Sequence, residues 1–199
     1  MADIIYTYKD QVYLNITNKC DCSCTFCIRS QKDTIGDAKE MWFKKDPDIA
    51  EIKQAIDAFD FSNFNEVVFC GYGEPTCALE NLLLTAGYIK EKLGLQTRLN
   101  TNGLANLYYK RDIIPELAKV IDKVSISLNA PTKEKYHEVT RPQFENAFEG
   151  LLEFAKEAAQ TFSNAQLTIV DVLPADDIDA CQRLADNLGI RLRIRKFSA

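Results

Sequence analysis

Apolar and polar positions along the chain alternate in short β-branched runs, separated by longer stretches with helical spacing. The runs predict six strands, over Val12–Ile16, Glu66–Cys70, Thr97–Asn100, Lys123–Leu128, Gln166–Val172 and Arg191–Phe197. Between the first two, Ile49, Ile52, Ile56 and Phe59 mark one helical face, with Asp46 as N-cap and Pro47 in the first turn. Leu79, Leu82, Ala86, Ile89 and Leu93 recur at steps of three and four, and Gly94 stops that helix. A short helix begins near Pro115. Phe144, Phe148, Leu151, Ala155 and Ala158 form a further stripe. Ile178, Cys181, Leu184 and Leu188 form the last, entered through Asp176 or Asp177 and ended by Gly189.

Strands alternating with helices predict βαβ units and a parallel sheet, in an α/β single domain over residues 1–199. One connection stands out. The segment from about residue 17 to 45 is far longer than an ordinary strand-to-helix loop, and such loops in compact domains are usually functional. Strand polarity then separates the possible architectures, because successive side chains point to opposite faces. One face collects Val12, Leu14, Ile16, Leu99, Thr101, Val124, Ile126, Leu128, Leu192 and Ile194. The other collects Tyr13, Asn15, Thr17, Arg98, Asn100, Asn102, Ser125, Ser127, Asn129, Arg191, Arg193 and Arg195. A sheet covered by helices on both sides would be apolar on both faces. A closed barrel would fill its interior with branched apolar side chains. A partial (β/α)6 barrel with a polar ligand in its lumen accounts for the pattern.

Composition narrows the setting. The net charge of −5 gives no general attraction to nucleic acid or anionic membrane. With 46% apolar and 27% charged residues the chain is expected to be globular, and no apolar run reaches membrane-spanning length. The N-terminus lacks the basic start and apolar stretch of a signal peptide, so a cytoplasmic location is expected. Seven cysteines in a reducing compartment argue for ligands or reactive thiols rather than a disulfide framework.

Four of the seven, Cys20, Cys22, Cys24 and Cys27, fall within eight residues of the long loop. The C-x3-C-x2-C spacing of Cys20, Cys24 and Cys27 supplies three thiolates, enough to hold three irons of a [4Fe–4S] cluster and leave the fourth open to a ligand. The alternative is a non-catalytic zinc-binding interaction domain, in which Cys22 completes a set of four thiolates. Structural zinc sites usually draw on two separated pairs, and eight residues are cramped for a tetrahedron. At the end of the second predicted strand lies Phe69-Cys-Gly-Tyr-Gly-Glu-Pro-Thr76. Its glycines allow close backbone approach at the strand ends where parallel sheets bind ligands, and Glu74 offers a carboxylate suited to an ammonium group.

Cys20-x3-Cys24-x-Phe26-Cys27 followed by Gly-Tyr-Gly-Glu-Pro resembles the radical S-adenosylmethionine (SAM) superfamily. Tyr13–Cys20, Phe69–Thr76, Arg98–Gly103 and Val124–Pro131 are similar to the short radical SAM proteins associated with TatD-type hydrolases. The likeness runs from about Tyr6 to Phe197.

The resemblance implies a partial (β/α)6 barrel, in agreement with strand polarity. It implies that Cys20, Cys24 and Cys27 ligate a [4Fe–4S] cluster whose open iron takes the amino and carboxylate groups of SAM. Phe26 would lie against the cluster and meet adenine through its backbone. Gly73 and Glu74 would hold the SAM amino group. Asn100 stands where related activating enzymes place an acidic SAM contact, and Ser127 and Asn129 match positions that bind the ribose. The implied reaction is reductive cleavage of SAM to a 5′-deoxyadenosyl radical that abstracts hydrogen from a substrate. An external flavodoxin or ferredoxin would deliver the electron, and a functional link to a TatD-type hydrolase is implied. Tyr72 replaces the commoner first glycine of the superfamily motif, and Cys22 is an extra thiol expected to turn away from the cluster.

Arg191, Arg193 and Arg195 allow two readings. They are a solvated charged edge strand, or they turn into the lumen, where Arg193 and Arg195 are candidates to bind the SAM carboxylate or an anionic substrate. The substrate is a small anionic metabolite or nucleotide derivative on one view and a protein backbone on the other. Cys181 on its apolar stripe is expected in the core, His137 at the surface, and Cys70 and Cys77 packed beside the SAM element. Trp42 would cover the cluster or meet a partner.

Overall fold

The alternating runs assemble into one seven-stranded sheet. A computed structural model describes residues 2–196; Phe197, the last residue of the sixth predicted strand, lies outside the described residues. The strands are β1 (Ile5–Tyr8), β2 (Gln11–Leu14), β3 (Glu66–Phe69), β4 (Gln96–Thr101), β5 (Lys123–Ser127), β6 (Ala165–Val170) and β7 (Arg191–Arg195). They lie side by side in chain order, with β1 antiparallel to β2 and every later pair parallel. β1 is an addition to the expected six. It pairs with β2 through a two-residue turn at Lys9 and Asp10, both at positive φ, the backbone that twist-matched hairpins demand. Lys-Asp carries none of the Asn-Gly signature, so the hairpin left no mark in the pattern.

Strand order decides the architecture. Each crossover from β2 to β7 steps to the next strand in the same direction. Parallel crossovers are right-handed, so the helices gather on one face and leave the other open. A doubly wound sheet would need the order to reverse. The six parallel strands therefore form a partial (β/α)6 barrel.

The helices are α1 (Ile49–Ala58), α2 (Leu79–Leu93), α3 (Ala105–Tyr109), α4 (Ile114–Leu117), α5 (Lys133–Thr140), α6 (Ala147–Thr161) and α7 (Ala175–Asn187). Their apolar stripes meet the outer face of the sheet. Ile52, Ile56, Leu82, Ile89, Leu151, Phe154 and Cys181 pack in one core with Val12, Leu14, Val67, Phe69, Leu99, Val124, Ile126, Leu167 and Ile169. Gly94 ends α2 at φ 65°, as the pattern required. Phe144 falls outside α6, which begins three residues later.

The start of α1 corrects the expectation for Asp46. The N-cap is Asp48, whose side chain accepts from the Glu51 N–H while Glu51 reaches back to the Asp48 N–H, both at 2.9 Å. Asp46 instead accepts from the Thr17 hydroxyl at 2.6 Å and the Asn18 N–H at 3.0 Å, pinning the end of the long loop to its beginning. No helix among the described residues is long and apolar enough to cross a membrane.

Candidate functional site

The long loop leaves β2 and roofs the C-terminal end of the sheet. Its first half crosses to the segment behind α5, which follows β5. Ser23 N donates to Thr140 O at 3.0 Å, Thr25 N to Val139 O at 2.9 Å and Gln143 N to Asp21 O at 2.9 Å, and Cys22 forms a bridge with Pro142. The second half returns along the β1 edge, where Asp37 N donates to Thr7 O and Asp3 N to Glu40 O. Asn18 exchanges hydrogen bonds with the Phe43 backbone at 2.7 and 3.2 Å. A loop of this length stays in place because its backbone polar groups find such partners.

The roof carries the four clustered thiols in two environments. Cys20, Cys24 and Cys27 are half-buried, whereas Cys22 is buried in the main core with its sulfur 3.6 Å from Asn102 Nδ2. The Cys22 thiol also donates to Cys24, and this bond, more than any other influence, holds the Cys24 thiol below its ordinary range. Burial pushes Cys20 up to about 12 and Cys27 upward, and the Arg29 guanidinium opposes it at both. Arg29 pulls Cys24 in the same direction. One cation therefore acts on each of the three half-buried thiols. Arg29 escaped notice in the sequence; the signal was a basic residue two positions past the last cysteine.

Among the described residues, no three Cys, His, Asp or Glu side chains converge into a group that could hold a single ion. Zinc would need its four thiolates about 2.3 Å from one point. An iron–sulfur cluster gives each thiolate its own iron, so three thiols spread along one loop suit it better.

The Gly-Tyr-Gly-Glu turn after β3 lies beneath the roof and departs from expectation in one respect. Its glycines make room for protein rather than ligand. A Cβ on Gly71 would collide with the Asn15 side chain, and one on Gly73 with the carbonyls of Thr17 and Lys19. Asn15 is fully buried: its Nδ2 donates to Met41 O at 2.9 Å and its Oδ1 accepts from Tyr72 N at 3.3 Å. Asn15 and Thr17, grouped with the luminal polar positions by alternation, thus tie the roof to the sheet.

The Glu74 carboxylate is equally committed. Oε1 accepts from Thr76 N at 3.1 Å and Thr76 Oγ1 at 2.7 Å, and Oε2 from Asn102 N at 2.8 Å. Burial raises its pKa to about 7 despite those donors. Its side chain stitches the β3 turn to the end of β4. The carbonyls of Gly71, Tyr72 and Gly73 accept none of the hydrogen bonds among the described residues, so the backbone is what this turn can offer a ligand. Asn102 also donates through Nδ2 to Asp21, joining β4 to the cysteine loop.

A cavity of about 400 Å³ opens beside the roof, lined in part by Phe26, Asn129, Val139, Val170, Val172 and Leu173. Asn129 lies in it at φ 61°, buried, with Oδ1 lacking a partner. A buried acceptor left open at a strand end, held in a costly backbone conformation, marks a place where a ligand donor fits. A second cavity of about 560 Å³, lined by Lys19, Cys77, Tyr109 and Arg111 among others, lies beyond the β3 turn on the helix side.

Asn100 is half-buried and hydrogen-bonded to Cys70, and Ser127 is half-buried at the end of β5. Cys77 and Cys181 are buried, and Cys70 is half-buried on the inner face. His137 is half-buried in α5 rather than at the surface. Trp42 is exposed, packed edge-on to Tyr72 at 5.1 Å with Arg29 over its ring.

A mostly parallel sheet wound in one direction, polar inside and roofed by a cysteine loop, defines a partial-barrel protein. The profile of the Radical SAM superfamily matches residues 14–186, and the chain belongs to that superfamily. The fold is similar to the crystal structure of methylornithine synthase (PylB), with a TM-score of 0.63 at 16% sequence identity over 94% of this chain. The chain covers 52% of that structure, about half its length. No curated protein sequence matches the chain.

Proposed function

We propose that the protein is a radical SAM enzyme in which Cys20, Cys24 and Cys27 ligate three irons of a [4Fe–4S] cluster. SAM would take the open iron through its amino and carboxylate groups. The cluster and SAM together supply a 5′-deoxyadenosyl radical that abstracts hydrogen from the substrate. The chain's own residues hold these groups in register and keep water out. Arg29 favours the ionised thiols, and Cys22 stays in the core as a packing residue. The free carbonyls of the Gly71–Gly73 turn face the SAM ammonium, while Glu74 holds that turn rigid. Phe26 and the cavity beside it receive adenine; Asn129, with its open Oδ1, and Ser127 receive the ribose hydroxyls, and Asn100 lies along the same inner face. The electron comes from an external flavodoxin or ferredoxin in the cytoplasm. The likeness of four segments to TatD-associated proteins supports a partner hydrolase of that type, with the single domain spanning residues 1–199.

One observation carries this reading. Three half-buried thiols under the influence of Arg29 lie on the same roof as a cavity with an unsatisfied Asn129. The test is EPR on anaerobically reconstituted, dithionite-reduced protein with and without SAM. A reduced-cluster signal that changes shape on adding SAM is expected, with iron lost in Cys20→Ala and retained in Cys22→Ala. A colourless protein holding stoichiometric zinc would overturn the proposal, as would iron retained in Cys20→Ala and lost in Cys22→Ala.

A further inference from the structure

The lumen below the roof has an uneven charge pattern. Its floor is closed by a polar network at the N-terminal ends of the strands. Gln11 Oε1 accepts from Tyr13 OH at 2.9 Å and from Arg98 Nη2 at 2.8 Å. Glu66 pairs with Arg98 at 3.3 Å and with Lys123 at 2.7 Å. Gln166 Nε2 donates to Ser125 Oγ at 2.8 Å. These groups pair with one another, with the Arg98 Nε–H alone among them buried without a hydrogen bond.

Above the floor the balance is lost. Arg191, Arg193 and Arg195 stand opposite Gln166, Thr168 and Val170 in the parallel register of β6 and β7, so they share the inner face that Gln166 and Ser125 mark. The outer positions of β7, Leu192 and Ile194, are apolar. The cross-strand charge effects agree with this placement. Arg193 acts on the Tyr13 phenol of β2, and Arg195 acts on Cys70 at the end of β3. The arginines therefore look across the open lumen at β2 and β3. None of the ion pairs among the described residues involves Arg191, Arg193 or Arg195. Glu66 is already shared between Arg98 and Lys123, and Glu74 is enclosed by Thr76 and Asn102. A chain with a net charge of −5 has thus gathered, on the inner wall of its barrel, cations that form no ion pair among the described residues. Facing them is half-buried Tyr13, stacked at 5.2 Å on the ring of buried Tyr6.

We infer that the lumen between β7 and Tyr13 binds a small substrate through an anionic oxygen group, carboxylate or phosphate, held by Arg193 and Arg195. This rests on the proposed radical SAM activity and specifies the substrate class of the same site. Guanidinium groups present planar forks matched to these anions. Side chains two residues apart on one strand lie on the same face about 7 Å apart, so two arginines can clasp one multivalent anion or two acidic groups. In the parallel register Arg193 stands opposite Thr168 and, through it, level with Ser127 at the end of β5. The SAM carboxylate carries one negative charge, so two guanidinium groups leave a cation for a further anion. A protein substrate entering as extended backbone would carry no charge for them to meet.

The test uses reconstituted, SAM-loaded protein titrated calorimetrically with two probes, inorganic pyrophosphate and malonate. At least one is expected to bind at one site per chain. Arg193→Gln and Arg195→Gln should each weaken that binding about tenfold, the scale of a lost charge-assisted hydrogen bond. Arg193→Lys should recover part of the loss, and SAM affinity should stay within about twofold. A parallel fall in SAM affinity would assign the arginines to the SAM carboxylate and overturn the inference. So would unaltered probe binding in the variants, or no binding of either probe to the wild type. Variants that self-associate while binding both probes normally would show the arginines to be guards of an edge strand. Failure of the radical SAM reading shows up separately, as absence of the SAM-dependent EPR change, whatever the anion titration gives.

Discussion

Glu74 shows how a residue can be legible by type and illegible by role. The sequence places a carboxylate beside two glycines at a strand end, and an ammonium contact is the natural reading. The fold spends both oxygens on Thr76 and on the Asn102 N–H, and Asn102 lies on a strand that sequence proximity could not supply. Glu74→Gln would point an amide N–H2 at one of these donors. It is expected to destabilise the cofactor-free chain by about 1–3 kcal/mol, the cost of leaving a buried donor unmet. The pH dependence follows from the raised pKa of about 7 against an ordinary 4.5. Between those values the unfolded chain ionises Glu74 while the folded chain keeps it protonated. Stability from this group is complete below about pH 4.5 and lost as pH rises to about 7, a span of about 3 kcal/mol. Asp21, also raised by burial, contributes in the same direction. Urea denaturation of the wild type at pH 5 and pH 8 should show the lower pH more favourable, with a smaller difference in Glu74→Gln. An equal difference in the two proteins would mean that Glu74 does not titrate in this window.

Elements depend on caps and turns, and the Asp46-Pro47 pair places the start of α1 two residues early. Asp46-Pro47 has the form of a helix start, yet the capping box belongs to Asp48 and Glu51. Local chemistry permits both, and tertiary contact with Thr17 and Asn18 decides between them. The two aspartates should therefore fail differently. Asp48→Ala should cost about 1 kcal/mol through loss of the cap on α1. Asp46→Ala should leave α1 intact and release the long loop, seen as faster amide exchange across residues 17–46. If Asp46→Ala instead unprotects residues 49–58, the assignment of the cap is wrong. The hairpin of β1 and β2 is the opposite lesson. Its strands are short, its turn is Lys9-Asp10 at positive φ, and its polar inner residues Tyr6 and Tyr8 carry no strict alternation to betray them. The second half of the long loop then lies along β1 through Thr7 and Asp37, covering an edge that would otherwise be open to pairing.

At the scale of the whole molecule, alternation carried the most information. The apolar strand faces are the ones packed against helices, except at Ile194 of β7, which is exposed, because all crossovers run one way and only one face is covered. What alternation could not supply was the level of each side chain within the lumen, which follows from the stagger of tilted strands. It also missed the diversion of Asn15 and Thr17 into the roof. The division between a packed outer face and a ligand-facing inner face can be tested with neighbours on one strand. Ile126 is fully buried on the outer face of β5, and Ser127, next to it, turns inward. Ile126→Ala should cost about 2–4 kcal/mol in urea denaturation, since it opens a cavity between sheet and helices. Ser127→Ala should change stability by less than about 0.5 kcal/mol, because the inner face is not filled by packing. Its effect should appear instead as weaker SAM binding to the reconstituted protein. Equal losses of stability at the two positions would mean that the lumen is a second core, and the partial barrel would then have no room for a substrate.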